Sequence, residues 1–357
     1  MQKLDLKILS FDKLSEWVAD LGWKRYRATQ IIKWIYQRNV RDFSQMTDIA
    51  AKDRALLEER ATVGTPDIGN VRVSSDGTTK FLLSLSDGKT VECVLIPDKD
   101  RLALCVSTQV GCTLDCGFCL TGTLGLIRNL KAHEIVEQVL AARRHLAQSN
   151  GPRLTNIVLM GMGEPLANLR EVLDAMDRIT SPLGLGFSPR RITLSTVGLV
   201  PKIEELGRSG CKVNLAVSLN ATTDAVRDRI MPINKTYPIS RLLKACRDYP
   251  LAPRRSITFE YVLLKGVNDS DADARRLVQL VRGMRCKVNL IPFNDYPGSL
   301  YERPDDSRVL AFQEIIMNGR VTTFIRKSKG RDILAACGQL HQVETVSGLF
   351  SQPTLTR

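Results

Sequence analysis

The sequence contains no run of about eighteen uninterrupted apolar residues, the length a helix needs to cross a bilayer, so no membrane span is expected. Its start, MQKLDLKILSFDKL, has neither a long apolar core nor a small-residue cleavage site. No secretory signal is therefore expected, and the chain is expected in the cytoplasm. It also lacks low-complexity tracts and any internal repeat beyond an alternation of strands and helices. What is present is an ordinary globular composition, 43% hydrophobic and 25% charged over 357 residues, long enough to bury a substantial core.

Charge of one sign is in short supply: 38 acidic residues face 51 basic ones, a net +13. The excess favours a polyanionic partner, RNA or DNA first among them. The one concentrated run is Arg326-Lys327-Ser328-Lys329-Gly330-Arg331. A membrane-surface helix would oppose its basic residues with bulky apolar ones. This run has none, which favours phosphate contact.

Nine cysteines in a reducing compartment are poor candidates for structural disulfides, so metal binding or catalysis is the default for any that cluster. Cys93, Cys211, Cys246 and Cys286 do not cluster and read as small buried side chains. In contrast, Gly111-Cys112-Thr113-Leu114-Asp115-Cys116-Gly117-Phe118-Cys119 has the compact spacing C-x3-C-x2-C. Such a loop can wrap three thiolates around one side of an iron–sulfur cubane and leave the fourth iron open to a chelating molecule. Gly111 and Gly117 would ease its turns. A structural zinc site is the competitor, but it usually closes with a second cysteine pair, and none follows. His133 and His145 lie at poor spacing to supply the missing ligands.

The periodicity divides the chain into parts. Phe11 to Leu21 and Arg27 to Tyr36 carry apolar residues at helical steps, which predicts a helical N-terminal region over residues 1–65. That region suits either an RNA-binding module or a packing appendage. Over residues 66–100 the runs VRVSS, TKFLLSL and TVECVLI, separated by Asp76-Gly77 and Asp87-Gly88, predict a small antiparallel β element. From 101 to 330 strand and helix candidates alternate, which predicts an α/β unit with a mainly parallel sheet. The last part, 331–357, is a tail. Polar and glycine-rich residues follow the strands at Gly161–Pro165, Ser195–Gly198, Ser218–Asn220 and Pro292–Asn294. Ligands of such folds gather at that face.

The triplet at the end of the first strand resembles the signature of radical S-adenosylmethionine enzymes, and Gly161–Pro165 resembles their glycine-rich segment after the second strand. From about Val91 to Leu340 the stretches VECVLIP, LCVSTQVGC, NIVLMGMGEPL, RRITLSTVG, IMPINKTYP, TFEYVLLKGVNDS, KVNLIPFN and DILAACGQL resemble, in order, the RlmN/Cfr family of RNA adenosine methyltransferases. The helical N-terminus is similar too. The resemblance implies a partial (β/α)6 barrel with a [4Fe–4S] cluster on Cys112, Cys116 and Cys119. It also implies S-adenosylmethionine, two molecules per turnover, bound by Gly163, Glu164, Ser195, Ser218, Leu219, Asn220 and Asn294. Family members usually carry histidine at position 220; asparagine keeps a donor and an acceptor but loses the charge state of imidazole. Cys119-Leu120-Thr121-Gly122 has leucine where alanine is common, a packing change.

The same resemblance implies the chemistry. The target, C2 of adenine, is an electron-poor carbon that does not attack a sulfonium methyl, so a radical route through the cofactor is needed. Cys337 would first be methylated by one cofactor molecule. A second, cleaved reductively at the cluster, would give a 5′-deoxyadenosyl radical that takes hydrogen from the S-methyl group, and the carbon radical would add to C2. Cys105 would then attack the Cys337 sulfur, forming a transient disulfide that releases the base, and Glu92 matches the family's proton acceptor. Without the resemblance, Cys105 and Cys337 read as buried thiols and Glu92 as a surface carboxylate on a strand. The implied partners are 23S rRNA, tRNA, and an electron donor such as flavodoxin or ferredoxin; a monomer is expected. A Cfr-like C8 methyltransferase shares the same cysteines and is the alternative. A non-catalytic iron–sulfur RNA-binding protein is a more remote one.

Overall fold

A computed structural model describes residues 3–64 and 66–341 of the chain. The tail beyond residue 341, part of the expected 331–357 segment, lies outside the described residues.

The N-terminal region consists of helices α1 (Phe11–Asp20), α2 (Tyr26–Tyr36) and α3 (Ala51–Arg60). The two-residue strands β1 (Leu4–Asp5) and β2 (Ala61–Thr62) pair in parallel at its ends. Ser10 starts α1 by accepting the Lys13 N–H, one of the donors a helix start leaves free. The apolar steps seen in the sequence bury Leu14, Val18, Ile31, Ile32 and Ile35. α3 falls within the region read as helical but shows no apolar stripe of its own, and it buries only Leu57.

Next come β3 (Asp67–Val73), β4 (Thr79–Ser84) and β5 (Thr90–Asp98), joined through Gly77 and Gly88 at φ +83° and +76°. These are the two predicted hairpins. β5 turns back through Lys99, itself at φ +49°, into β6 (Arg101–Cys105). The antiparallel element therefore continues the main sheet rather than standing apart from it. A short ribbon, β7 (Gln109–Gly111) with β8 (Leu126–Asn129), brackets the cysteine loop.

The strand–helix alternation then proceeds: α4 (Ala132–Gln148), β9 (Asn156–Leu159), α5 (Leu169–Thr180), β10 (Ile192–Thr196), α6 (Val200–Arg208) and β11 (Asn214–Ser218). It continues with α7 (Asp224–Ile230), α8 (Ile239–Asp248), β12 (Ile257–Leu263), α9 (Asp271–Val281), β13 (Cys286–Pro292), α10 (Asp306–Asn318) and β14 (Thr323–Ile325). One ten-stranded sheet results, in the order β14-β13-β12-β11-β10-β9-β6-β5-β4-β3. β6 and β9 to β14 pair in parallel in sequence order, the arrangement of a partial barrel. The predicted six βα units are followed by the short β14.

The helical region is locked to this barrel by buried charge. Lys7, 3% exposed, pairs with Glu137 of α4, which also pairs with Arg144. Arg178 of α5 donates to the Lys7 carbonyl. Removing one partner of such a network strands a charge in the interior, at a cost of roughly 3–5 kcal/mol.

Candidate active site

The strand ends, the cysteine loop and the tail line one cavity; ligand sites of such folds lie at that face. Gly111 enters the loop at φ +79°, and a Cβ there would strike the Gly125 carbonyl. The loop is pinned by the Cys112 N–H to Gly125 O (2.9 Å), the Gly117 N–H to Ile230 O (3.0 Å) and the Leu120 N–H to Gly338 O (2.8 Å). Gly117 takes no positive φ; a Cβ there would meet the Tyr301 hydroxyl at 3.2 Å, so close packing rather than a turn is what its hydrogen serves.

Cys112, Cys116 and Cys119 all line the cavity. Burial pushes all three thiols up, Cys112 to about 12, and negative charge on any one opposes ionisation of a neighbour. Three such thiolates need a cationic centre among them. Three cysteine sulfurs on one cavity suit a cubane, in which each thiolate meets its own iron and one iron stays open. A structural zinc site closes with four protein ligands, and among the described residues no such group is found.

The wall opposite carries a second unmet charge. Glu164 is 3% exposed, lines the cavity and makes no ion pair among the described residues. Its Oε1 and Oε2 accept the Leu166 and Val197 N–H groups at 3.0 and 2.9 Å. Burial nevertheless pushes its carboxyl up to about 7. An ammonium group in the cavity would supply the missing cation. Gly163, at φ +95°, keeps the floor low, because a Cβ there would lie 2.5 Å from Gln109 Cβ.

Ser195, Ser218 and Asn220 also face the cavity. Asn220 adopts φ +56° and is already engaged: Oδ1 accepts the Val262 N–H (2.8 Å) and Nδ2 donates to Met231 Sδ (3.2 Å). Leu219 lies beneath the wall, fully buried, its carbonyl accepting from Arg227. Asn294 stands just outside the wall; its Nδ2 donates to the Cys337 carbonyl (3.1 Å), and its buried Oδ1 has no partner among the described residues.

The tail closes the cavity and brings Cys337 to it. Asp332 accepts from the Ser74 hydroxyl (2.6 Å) and the Ser75 N–H (3.1 Å), and Asp76 accepts from the Gly330 N–H (3.0 Å). Thr121 donates to Leu340 O, and Gln339 to Asp295 O (2.6 Å). Held this way, Cys337 is exposed toward the cavity while Cys105, at the end of β6, is 7% exposed. Burial pushes the Cys105 thiol up to about 12, and Cys337 adds to this while Arg326 opposes it. Ala335 and Ala336 are buried, so their small size serves the packing of the tail.

Glu92 is not the surface carboxylate that strand alternation suggests. It is 1% exposed, pairs with Lys80 at 2.9 Å and accepts the His341 N–H at 3.1 Å. β5 is covered on both faces, so its alternation does not separate inside from outside.

Several site residues carried no sequence signal. Glu260 hides in the apolar strand TFEYVLL, and Arg326 reads as part of the basic run, yet both line the cavity. Arg227, fully buried, donates to the carbonyls of Val197 (2.7 Å), Ser218 (3.1 Å) and Leu219 (2.9 Å) and to Asn234 Oδ1 (3.1 Å). It thereby fixes the ends of β10 and β11.

A partial barrel with a three-cysteine loop and a carboxylate-walled cavity at its strand ends defines a radical S-adenosylmethionine enzyme. Residues 106–278 match the radical SAM superfamily, whose cofactors are a [4Fe–4S] cluster and S-adenosylmethionine, and residues 4–63 match the ribosomal RNA large subunit methyltransferase N-terminal domain. The dual-specificity RNA methyltransferase RlmN of Syntrophobacter fumaroxidans is 50% identical over 95% of this chain and 98% of its own length. That of Geobacter sulfurreducens is 52% identical over 94% and 92%. A crystal structure of a radical SAM methyltransferase from Sphaerobacter thermophilus, 44% identical, superposes with a TM-score of 0.89 over 94% of this chain and 98% of that one. The chain belongs to the RlmN family.

Proposed function

We propose that this chain methylates C2 of an adenosine in 23S rRNA, and of an adenosine in tRNA anticodon loops, using two S-adenosylmethionine molecules per turnover. The observation that carries this reading is a tail thiol, Cys337, held open to the cavity that the cluster cysteines line, with Cys105 beside it. Cys112, Cys116 and Cys119 hold the cluster, and Gly163, Glu164, Ser195, Ser218, Leu219, Asn220 and Asn294 hold the cofactor. The bound cluster and cofactor supply the methyl group and a 5′-deoxyadenosyl radical.

The chain's own residues do the rest. Cys337 carries the methyl group to the base; once its carbon is joined to C2, Glu92 takes the C2 proton and the adduct's one unpaired electron would pass back to the bound cluster, leaving a closed-shell adduct. Cys105 then forms a bond to the Cys337 sulfur as the carbon–sulfur bond breaks; that electron pair goes to the methyl carbon, which takes up a proton. The resulting disulfide needs two electrons from a dithiol reductant before the next turnover. A one-electron donor of the flavodoxin or ferredoxin class fits the cluster's need. The chain acts as a cytoplasmic monomer, and the net charge of +13 suits the RNA partner.

Relatives at about half identity over nearly their full length carry the RlmN name, which disfavours the C8 alternative. Anaerobic reconstitution with iron, sulfide, dithionite and S-adenosylmethionine, followed by assay on rRNA and tRNA fragments, tests the reading. Release of 5′-deoxyadenosine together with 2-methyladenosine is expected; 8-methyladenosine, or an unmodified RNA beside a competent cluster, would overturn it.

A further inference from the structure

Arg326 leaves the basic run and turns inward. Its N–H donates to Leu290 O at 2.8 Å, which fixes it just past β14, and its guanidinium donates to Met160 Sδ at 3.3 Å. It makes no other hydrogen bond and no ion pair among the described residues, a poor return for a largely enclosed cation with five N–H donors. Met160 also neighbours the resolving thiol, since β6 pairs Cys105 with Val158, two residues before it. Glu260 lies near Arg326; its Oε1 accepts from Asn289 (3.0 Å), and its buried Oε2 has no hydrogen-bond partner among the described residues. Two charged groups with unmet bonding thus line the same cavity as Cys337.

We propose that Arg326 is a positioning residue for the disulfide-forming step, its guanidinium holding the negative charge that Cys105 must carry when it attacks the Cys337 sulfur. The proposal rests on the reading of Cys105 as the resolving thiol. The reason is one of magnitude. A thiol pushed up to about 12 leaves on the order of one part in 10⁵ as thiolate at pH 7, and only the thiolate attacks. The groups facing Cys105 are Cys337 from the tail, Cys93 from β5 and Arg326 after β14, while the segment after β9 brings only Met160. The Glu92–Lys80 ion pair lies beyond Cys93, and Glu260 faces Arg326 from β12. Arg326 is the one unpaired cation in that set. Atoms and electrons balance without it: sulfur–sulfur forms, carbon–sulfur breaks, and the carbon takes a proton. Arg326 neither gives nor takes a proton.

The test is an anaerobic single turnover on an RNA fragment, quenched and run on a denaturing gel, where unresolved enzyme appears as a covalent protein–RNA adduct. Cys105→Ala should accumulate that adduct; if it does not, the resolving-thiol reading fails and the inference with it. Arg326→Gln should also accumulate it, with adduct decay slowed about tenfold or more near pH 8, one pKa unit being a factor of ten. Its decay profile should move to higher pH, while iron content and 5′-deoxyadenosine yield stay within about twofold. Arg326→Lys, which keeps the charge, should recover much of the rate. Glu260→Gln removes a negative charge opposing the guanidinium and should move the profile to lower pH. Adduct with Cys105→Ala but none with Arg326→Gln would overturn the inference alone. So would Lys as impaired as Gln, or Glu260→Gln and Arg326→Gln shifting the profile the same way, as a merely structural role requires. Should Arg326→Gln fail to fold, Arg326→Lys should resolve the adduct within about threefold of the unaltered rate and Glu260→Gln should move the profile to lower pH relative to the unaltered protein; either result failing overturns the inference.

Discussion

The cysteine loop and the tail meet at one cavity but are built in opposite ways. The loop's three thiols are local in sequence: Cys112, Cys116 and Cys119 lie within one turn-rich segment, which backbone hydrogen bonds to Gly125, Ile230 and Gly338 pin in place. The tail is non-local. Cys337 reaches the cavity only because Ser74, Ser75 and Asp76 of the antiparallel extension, Thr121 beside the loop, and Asn294 after β13 hold the residues around it. A local motif can make a radical in many folds. What is done with that radical depends on contacts assembled from across the chain, and the extension β3–β5 earns its place as the dock for the tail.

That contrast can be broken from either side. Cys112→Ala should remove cluster, 5′-deoxyadenosine release and RNA methylation together, read by iron content, visible absorbance and product mass. Retained cleavage of S-adenosylmethionine would sever the loop from the chemistry. Cys337→Ala should abolish methylation while iron content and absorbance match the unaltered protein; a methylated RNA product would end the methyl-carrier assignment. Ser74→Ala removes a buried hydroxyl that donates to Asp332, and loss of one such bond corresponds to roughly a three- to tenfold fall in methylation. The cluster signal should stay constant and the tail become easier to proteolyse.

Smaller effects sharpen the picture. Asn220→His should change the KM for S-adenosylmethionine by less than about threefold, because an imidazole can still accept the Val262 N–H as the amide does. A tenfold change would give the position a larger part than its contacts suggest. Least of all should mild acidity matter to the tail. Hydrogen bonds from Thr78, Gly330 and Ser74 outweigh burial and hold Asp76 down at about 2, below its usual 3.8. A depressed carboxylate contributes above its unfolded value and loses that contribution as pH falls through the folded one. Hydrogen-exchange protection of Gly330 should therefore be flat from neutrality to about pH 4 and be lost toward pH 2.

How much was legible follows from the same contrast. Local signals read correctly: the compact cysteine loop that brings three thiols to one cavity, the Asp-Gly hairpins, and the polar residues after β9, β10 and β11 that line it, whereas Asn294 after β13 stands outside the wall. Cys105 and Cys337 were reached only through a family resemblance, since no spacing rule relates residues on β6 and in the tail. Alternation misplaced Glu92 because β5 has no solvent face. Composition misplaced Arg326, because a basic run says nothing about which member turns inward. Arg227 carried no signal at all; a fully buried arginine is recognisable only once the carbonyls it satisfies are in view.

The account turns on Cys337 as the carrier between cofactor and base, and a chase experiment addresses it most directly. The reconstituted protein is charged with S-adenosylmethionine bearing an isotopically labelled methyl group, freed of excess cofactor, and mixed with RNA and unlabelled cofactor. Peptide mass should place the label on Cys337 before the chase, and nucleoside mass should find it at C2 of adenosine afterwards. Label that stays on Cys337 while unlabelled methyl reaches the RNA would contradict the account.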